Sequence, residues 1–133
     1  MDYRENVTAR IRLPDIEHNF RHVYFRFDFR KSVVPATETE PEHTIWTWNE
    51  YYMPENEYYM ICCGAYGEEY NDVFRSVQRE YLYTYADKMI MKYTTDAPDE
   101  TLRQAWVDYK HSVRQTQYGP TYPEQVEYPD YPE

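Results

Sequence analysis

Residues 96–128 constrain the fold of this chain more than any other stretch. Pro98 suits the first turn of a helix, and the acidic residues around it favour the positive end of the helix dipole. Apolar side chains then recur at helical spacing and end in Trp106, Tyr109 and Val113, which predicts one buried helix face. A Gly-Pro pair ends the pattern, and the residues beyond that pair are too poor in apolar side chains to pack alone. We therefore expect a helix that carries an extended segment.

A second helical pattern precedes this one. From Asn71 onward, apolar residues recur mostly every three or four positions, and Asn71 or Asp72 can cap the start. Gln78 falls within this pattern although it is polar. Residues 94–98 stop the first helix and start the second. Because a turn of about five residues joins the two, the economical arrangement over residues 71–117 is an antiparallel helical hairpin.

The first part of the chain, residues 1–70, has the alternation of an antiparallel β-sheet. Residues 7–13 alternate up to a proline, and residues 22–30 alternate even more regularly. Turn-forming residues lie between the two runs, which predicts that they pair as a hairpin. One face of the second run is predicted to carry Val23, Phe25, Phe27 and Phe29.

A third run, residues 44–52, places Trp46 and Trp48 on one face and aromatic residues on the other as well. This indicates burial on both sides, or one side left for a partner. Residues 58–66 fit a short strand or a helical turn equally well. Cys62 and Cys63 are expected to be buried thiols, because adjacent cysteines rarely reach disulfide geometry.

The sequence thus predicts an α+β fold in three parts. Residues 1–70 form a small N-terminal antiparallel β-sheet, residues 71–117 form the helical hairpin, and residues 118–133 form an extended acidic tail rich in Tyr-Pro pairs. Each proline favours extended backbone at the residue before it. We expect the tail to stay available for a partner.

Charge distribution argues against nucleic acid as that partner. The net charge is −10, and residues 35–70 and 118–133 contain no lysine or arginine. Duplex DNA or RNA requires a basic surface that displaces counterions, and none is evident. No apolar run has the length of a membrane span, so we expect no membrane partner either.

Residues that could carry chemistry are sparse. His18 and His22 have a spacing that binds metal on a helix, but they flank a predicted turn without a nearby third ligand. With three glycines, the chain has no phosphate-binding loop. We predict no catalytic residues, no metal and no cofactor, and hence a protein that is not an enzyme.

The abundant rings favour protein recognition instead. The chain has 17 tyrosines and 3 tryptophans, and such side chains are enriched at protein interfaces. A Tyr-Pro segment can add a strand to a sheet or lie in a groove at low entropic cost. The candidate partner-binding residues are Trp46, Trp48, Tyr122, Tyr128 and Tyr131.

The helical hairpin and tail resemble the phage tail assembly chaperones, particularly the small tail-fibre-assembly-like proteins. These commonly have an arginine-rich helix, a short turn that ends in Asp-Ala-Pro or a similar sequence, a helix with an Ala-Trp-x-x-Tyr-Arg pattern and a tail with aromatic-proline pairs. Here Lys110 stands where that pattern has arginine. The residues that carry the resemblance are Arg75, Arg79, Asp96, Ala97, Pro98, Ala105, Trp106, Tyr109, Lys110, Tyr122, Pro123, Tyr128 and Pro129.

The resemblance implies a non-enzymatic assembly chaperone that holds another tail or tail-fibre protein in the host cytoplasm during phage assembly. A permanent structural subunit of the tail or baseplate, which would remain in the virion, is one alternative. An acidic protein that mimics DNA and inhibits a host defence enzyme is another. Assembly into a homo-oligomer is left open.

Overall fold

The computed structural model describes residues 1–67 and 70–133; residues 68 and 69, at the end of the predicted β-rich region, lie outside the described residues. The fold is α+β, with a four-stranded antiparallel sheet followed by helices, which confirms the predicted class. The elements are β1 (Asp2–Ala9), β2 (Ile16–Asn19), β3 (His22–Val34), β4 (His43–Pro54), α1 (Glu55–Cys62), α2 (Asp72–Met91) and α3 (Glu100–Gln115). The chain divides into two compact units, Met1–Tyr59 and Met60–Glu133.

The strand order is β1-β4-β3-β2, and every neighbouring pair is antiparallel. The predicted pairing of the first two alternating runs is wrong, because β1 pairs with β4. Residues 14–21, between the two runs, are predicted to turn the chain, but residues 16–19 form β2 and pair with the start of β3. Only Phe20 and Arg21 separate these two strands, and so short a loop costs little closure entropy.

A β-bulge in β3 moves Phe29 to the face opposite the one predicted. The register with β4 shifts between Phe27 and Arg30, where Asp28 has φ 54°. One extra residue reverses the side-chain alternation, so the ring of Phe29 lies 5.7 Å from that of Trp48. The other three residues predicted for that face keep it. Alternation alone cannot reveal a bulge.

A second bulge lies on the other side of β4. The register of β1 shifts between Arg4 and Val7, and Asn6 has φ 56°. Asn49 of β4 accepts a hydrogen bond from the Asn6 amide at 3.1 Å. Arg30 donates to the side-chain oxygens of Asn6 and Asn49 at 3.0 and 3.3 Å, which fixes the bulged strands on either side of β4.

Charged groups are buried on one face of the sheet. Arg26 and Glu50 are 7% and 3% exposed. The indole N–H of Trp48 donates to Glu50 Oε1 at 2.7 Å, and Arg26 Nε lies 3.5 Å from the same oxygen, as an ion pair without hydrogen-bond geometry. Arg26 also donates to the Glu17 carboxylate at 3.1 Å and to the carbonyl of Pro14 at 3.0 Å. Buried charges require such pairing.

Residues 55–62 form α1, so the ambiguous segment begins as a helix. Cys62 is buried as expected, but Cys63, which directly follows α1, is exposed, so the expectation of two buried thiols is wrong for Cys63. At the next helix, Asn71 is the cap: its side chain accepts from the Phe74 amide at 2.9 Å. An N-cap of this kind satisfies one of the unpaired amides of the first turn.

The predicted helical hairpin is confirmed. Trp106, Tyr109 and Val113 of α3 are buried in one cluster with Ala86 and Tyr93. A π-helical turn, Lys92–Asp96, follows α2, and Asp99 caps α3 by accepting from the Leu102 amide at 3.1 Å. No helix in the described ranges is both long and apolar enough to cross a membrane.

We expect Glu50→Ala to lower the free energy of unfolding by about 3–5 kcal/mol, because Arg26 and the Trp48 indole lose their shared buried partner. Urea denaturation followed by circular dichroism measures the change. Glu38→Ala is the matched control, since Glu38 is exposed in a loop, and it should stay within about 0.5 kcal/mol of the parent. Equal midpoints for the two variants would contradict the role assigned to Glu50.

Candidate functional site

The C-terminal tail, residues 119–133, packs along the helices of its own unit. The expectation of a tail that stays available is therefore wrong. Its Tyr-Pro pairs lack apolar bulk, but each tyrosine contacts α2 or α3 through its ring or its hydroxyl. The polar tips of the rings, which hydrophobic patterning does not register, explain the difference.

Tyr122 makes the first attachment. Its hydroxyl accepts a hydrogen bond from Arg79 at 2.6 Å and donates to the Asp72 carboxylate. The Arg79 guanidinium also lies 5.4 Å from the centre of the Tyr122 ring. Both partners belong to the first turns of α2, so the start of the tail is held at the start of that helix.

Arg75 makes the second attachment and uses three different nitrogen atoms. Its Nε donates to the Pro123 carbonyl at 2.7 Å, and a terminal nitrogen donates to the Glu124 carbonyl at 2.9 Å. The other terminal nitrogen donates to Gln78 Oε1 at 3.0 Å. The buried guanidinium thus donates to tail carbonyls that would otherwise need a neighbouring β-strand as their hydrogen-bond partner.

Gln78 explains the polar residue within the apolar pattern of α2. It is 1% exposed, and its amide nitrogen donates to the Ile61 carbonyl at 2.8 Å. The Tyr128 hydroxyl donates to its oxygen at 2.9 Å. Because both ends of the amide are hydrogen-bonded, burial carries no unsatisfied polar group. Gln78 therefore links the end of α1, α2 and the tail.

The end of the tail lies over the hairpin core. The Tyr131 ring centre lies 5.0 Å from that of Tyr85 and 5.6 Å from that of Trp106. The Glu133 carboxylate accepts from the Tyr93 hydroxyl at 2.6 and 2.8 Å and from the Trp106 indole N–H at 3.3 Å. Tyr131 is nevertheless 47% exposed, so part of its ring faces solvent.

An open groove of about 1030 Å³ runs between the tail and the end of α1. Its lining includes Cys63, Tyr81 and Tyr131, all three exposed. Arg75 also lines it, but the guanidinium is already bonded to the tail. The groove therefore offers aromatic rings and hydroxyls, which suit packing against a peptide chain.

Five tyrosines of this unit have a raised pKa and so favour the neutral form. Burial raises the pKa of Tyr109 to about 12, and burial is also the main cause of the raised pKa of Tyr122, Tyr128 and Tyr131. A hydrogen bond to Glu133 is the main cause of the raised pKa of Tyr93. Ionisation of these phenols would oppose folding of the unit.

The two predicted tryptophans lie in the other unit, on β4. Trp48 is 1% exposed and bonded to Glu50, so its assignment as a contact for a partner is wrong. Trp48 lies on the same face of β4 as Glu50, and the pairing of Glu50 with Arg26 of β3 places the indole beside a buried charged network, which the alternation within β4 cannot show. Trp46 is half-buried, with the Lys31 amine 5.6 Å from its ring centre.

Two surface features of the sheet unit were missed by the sequence prediction. Tyr3, Phe27 and Tyr51 stack across three strands, with Tyr3–Tyr51 ring centres 5.0 Å apart and Phe27–Tyr51 centres 5.6 Å apart. Tyr3 is 46% exposed. We call these three residues the aromatic ladder. Only strand pairing brings them together, so no local pattern could have identified them.

Phe20 is the second missed feature. It occupies the loop between β2 and β3 with φ 57° and is 96% exposed. The left-handed conformation costs a non-glycine residue about 1–2 kcal/mol. Glycine, asparagine or aspartate usually occupy such a position. The sequence shows that Phe20 is unusual only once the loop between β2 and β3 has been located.

In comparisons with known proteins, no protein family, curated protein or solved structure matches this chain. Among residues 1–67 and 70–133, no group of three or more His, Cys, Asp or Glu side chains is arranged to hold a metal ion.

We expect Arg75→Ala to release the tail, because two carbonyls lose a charged donor. Hydrogen exchange measured by mass spectrometry should become about 10–100-fold faster for peptides from residues 121–133. Lys88→Ala, at an exposed position of the same helix, should leave their exchange unchanged. Unchanged exchange in Arg75→Ala would refute the anchoring role.

We expect the helical unit to lose stability as pH rises from about 10 to 12. The pKa of Tyr109 is higher in the folded than in the unfolded state, so its contribution is fully present below pH 10 and is lost as pH rises through about 12. Circular dichroism during an alkaline titration measures this loss. Tyr109→Phe should flatten the alkaline slope, and an unaltered slope would contradict the assignment.

Proposed function

We propose that this protein is a non-enzymatic phage tail assembly chaperone that binds another tail or tail-fibre protein in the host cytoplasm. The resemblance of the helical hairpin and tail to the tail-fibre-assembly-like proteins motivates the partner class. The helical unit uses its own tail to cover its aromatic core, so the docking surface is better sought on the sheet unit.

The aromatic ladder is the observation that carries the proposal. Tyr3, Phe27 and Tyr51 form a continuous ring surface that crosses β1, β4 and β3. The rings hold one another in place, so little side-chain entropy is lost when a partner covers them. Preordered tyrosines of this kind are typical of energetic hot spots in protein interfaces.

The position of the ladder also favours a definite mode of binding. Tyr3 belongs to β1, an edge strand of the sheet, and among the described residues no strand pairs with its outer side. A partner strand can hydrogen-bond to that edge while its side chains pack on the ladder. An extended segment of a tail protein whose apolar side chains alternate would meet both requirements.

The same surface would serve a permanent tail or baseplate subunit, which differs only in staying with the particle. The DNA-mimic alternative has less support. Glu50 and Glu17 are engaged with Arg26. Glu38, Glu40 and Glu42 lie in one loop between β3 and β4 rather than along a rigid element.

Affinity capture of the tagged protein from phage-producing cells, with mass spectrometry of what is retained, tests the proposal. We expect a tail or fibre protein to be retained, and Tyr3→Ser to weaken its binding about 30-fold, as for a hot-spot aromatic. Tyr118→Ser is the control, since Tyr118 is exposed but lies in the helical unit.

Capture without any tail protein would refute the proposal. Equal binding by Tyr3→Ser and Tyr118→Ser would refute the aromatic ladder as the surface. Detection of the protein in purified particles would identify it as a lasting subunit instead of a chaperone that leaves.

A further inference from the structure

Phe20 is not part of the aromatic ladder. Its backbone conformation is unfavourable for phenylalanine, and its ring is almost wholly in water, so among the described residues it makes no packing contact that would offset this. A side chain that is both strained and exposed points to a contact outside its own chain. The loop that carries it is held firmly, because the Arg21 carbonyl accepts from the Glu55 amide at 2.8 Å.

A cavity opens at the same end of the sheet. Its volume is about 530 Å³, it is open to solvent, and His22, Pro54 and the Tyr59 ring line it together with Arg21, Glu55 and Asn56. This space is ample for a phenyl ring. Arg21 directly follows Phe20, so the exposed ring and the cavity are neighbours on one surface.

We propose that Phe20 inserts into this cavity on a second copy of the chain, and that the second copy returns the same contact. A ring and a receiving cavity side by side on one surface are what a two-fold symmetric interface requires. Each copy then offers the ring to its partner and receives the partner's ring.

The charges at the cavity favour a second copy over a different protein. Arg21 and Glu55 both line the cavity and have opposite signs. In the two-fold arrangement, Arg21 of each copy approaches Glu55 of the other, so both charges meet an opposite charge. A partner surface of one sign would be repelled by one of the two residues.

The proposed contact between two copies buries little surface, so the dimer should be weak. Each phenylalanine buries roughly 150–250 Å², so the two rings and the walls they cover fall below the roughly 1,200 Å² of a stable interface. The net charge of −10 on each copy adds long-range repulsion, which salt screens. We expect a dimer with a dissociation constant of about 10–100 μM at physiological ionic strength.

Sedimentation velocity of the full chain over a concentration series that brackets about 10–100 μM tests the dimer. The mass should rise from 16.4 kDa towards twice that value. F20S should raise the dissociation constant at least about 100-fold, because two rings leave each interface. Y118S removes an exposed tyrosine elsewhere and should dimerise like the parent.

The charge pair gives a test that does not depend on Phe20. R21E alone and E55R alone should each weaken self-association by about tenfold or more, since like charges face each other twice. An equimolar mixture of R21E and E55R should restore dimers between the two variants, and so should R21E and E55R combined in one chain. Restoration by mixing requires that the two residues meet between copies.

A parent protein that stays monomeric over the series would overturn the proposal, as would an F20S variant that associates as the parent does. Failure of the mixed variants to associate would overturn the Arg21–Glu55 arrangement and with it the two-fold contact. A monomeric parent combined with lost capture of a tail protein by F20S would assign Phe20 to that partner instead. The dimer and the tail-binding proposal can therefore fail independently.

Discussion

Burying rings that carry polar atoms is the constraint on which this structure depends. The chain has 17 tyrosines and 3 tryptophans against 5 phenylalanines, so most of its aromatic surface ends in an O–H or N–H group. A buried donor without a partner costs about 1–3 kcal/mol. Each unit therefore supplies a buried hydrogen-bond acceptor for such a ring. In the sheet, Glu50 accepts from the Trp48 indole, and in the helical unit Gln78 of α2 accepts from the Tyr128 hydroxyl.

The same constraint explains the path of the tail. Few side chains of residues 119–133 are purely apolar, yet hydroxyl groups, backbone carbonyls and one carboxylate attach the segment to the helices. Arg75 is central, because it supplies donors to consecutive carbonyls that have no strand beside them. The tail thereby shields the core around Trp106, and its conformation is tied to that of the hairpin.

In addition to the exposed rings of Tyr81, Tyr118 and Tyr131 in the helical unit, the sheet unit presents exposed aromatic surface of its own. The aromatic ladder and Phe20 are separate features of that unit: one lies across strands beside an open edge, and the other lies at a loop. A protein that holds a tail component through the ladder and a second copy through Phe20 would present two binding edges in each dimer. Weak self-association would then raise the local concentration of sites for a multimeric tail protein.

The sequence by itself determined the α+β class, the helical hairpin, the Asn71 and Asp99 regions as helix starts, and the buried face that ends in Val113. These depend on spacing and capping within a few residues, which local physics fixes. Tertiary structure decided the strand partners, the face of Phe29, the burial of Trp48 and the docking of the tail. The bulge at Asp28 sets the face of Phe29, the pairing of β3 with β4 sets the surroundings of Trp48, and hydrogen bonds across some fifty residues dock the tail. The period of a sequence records none of these.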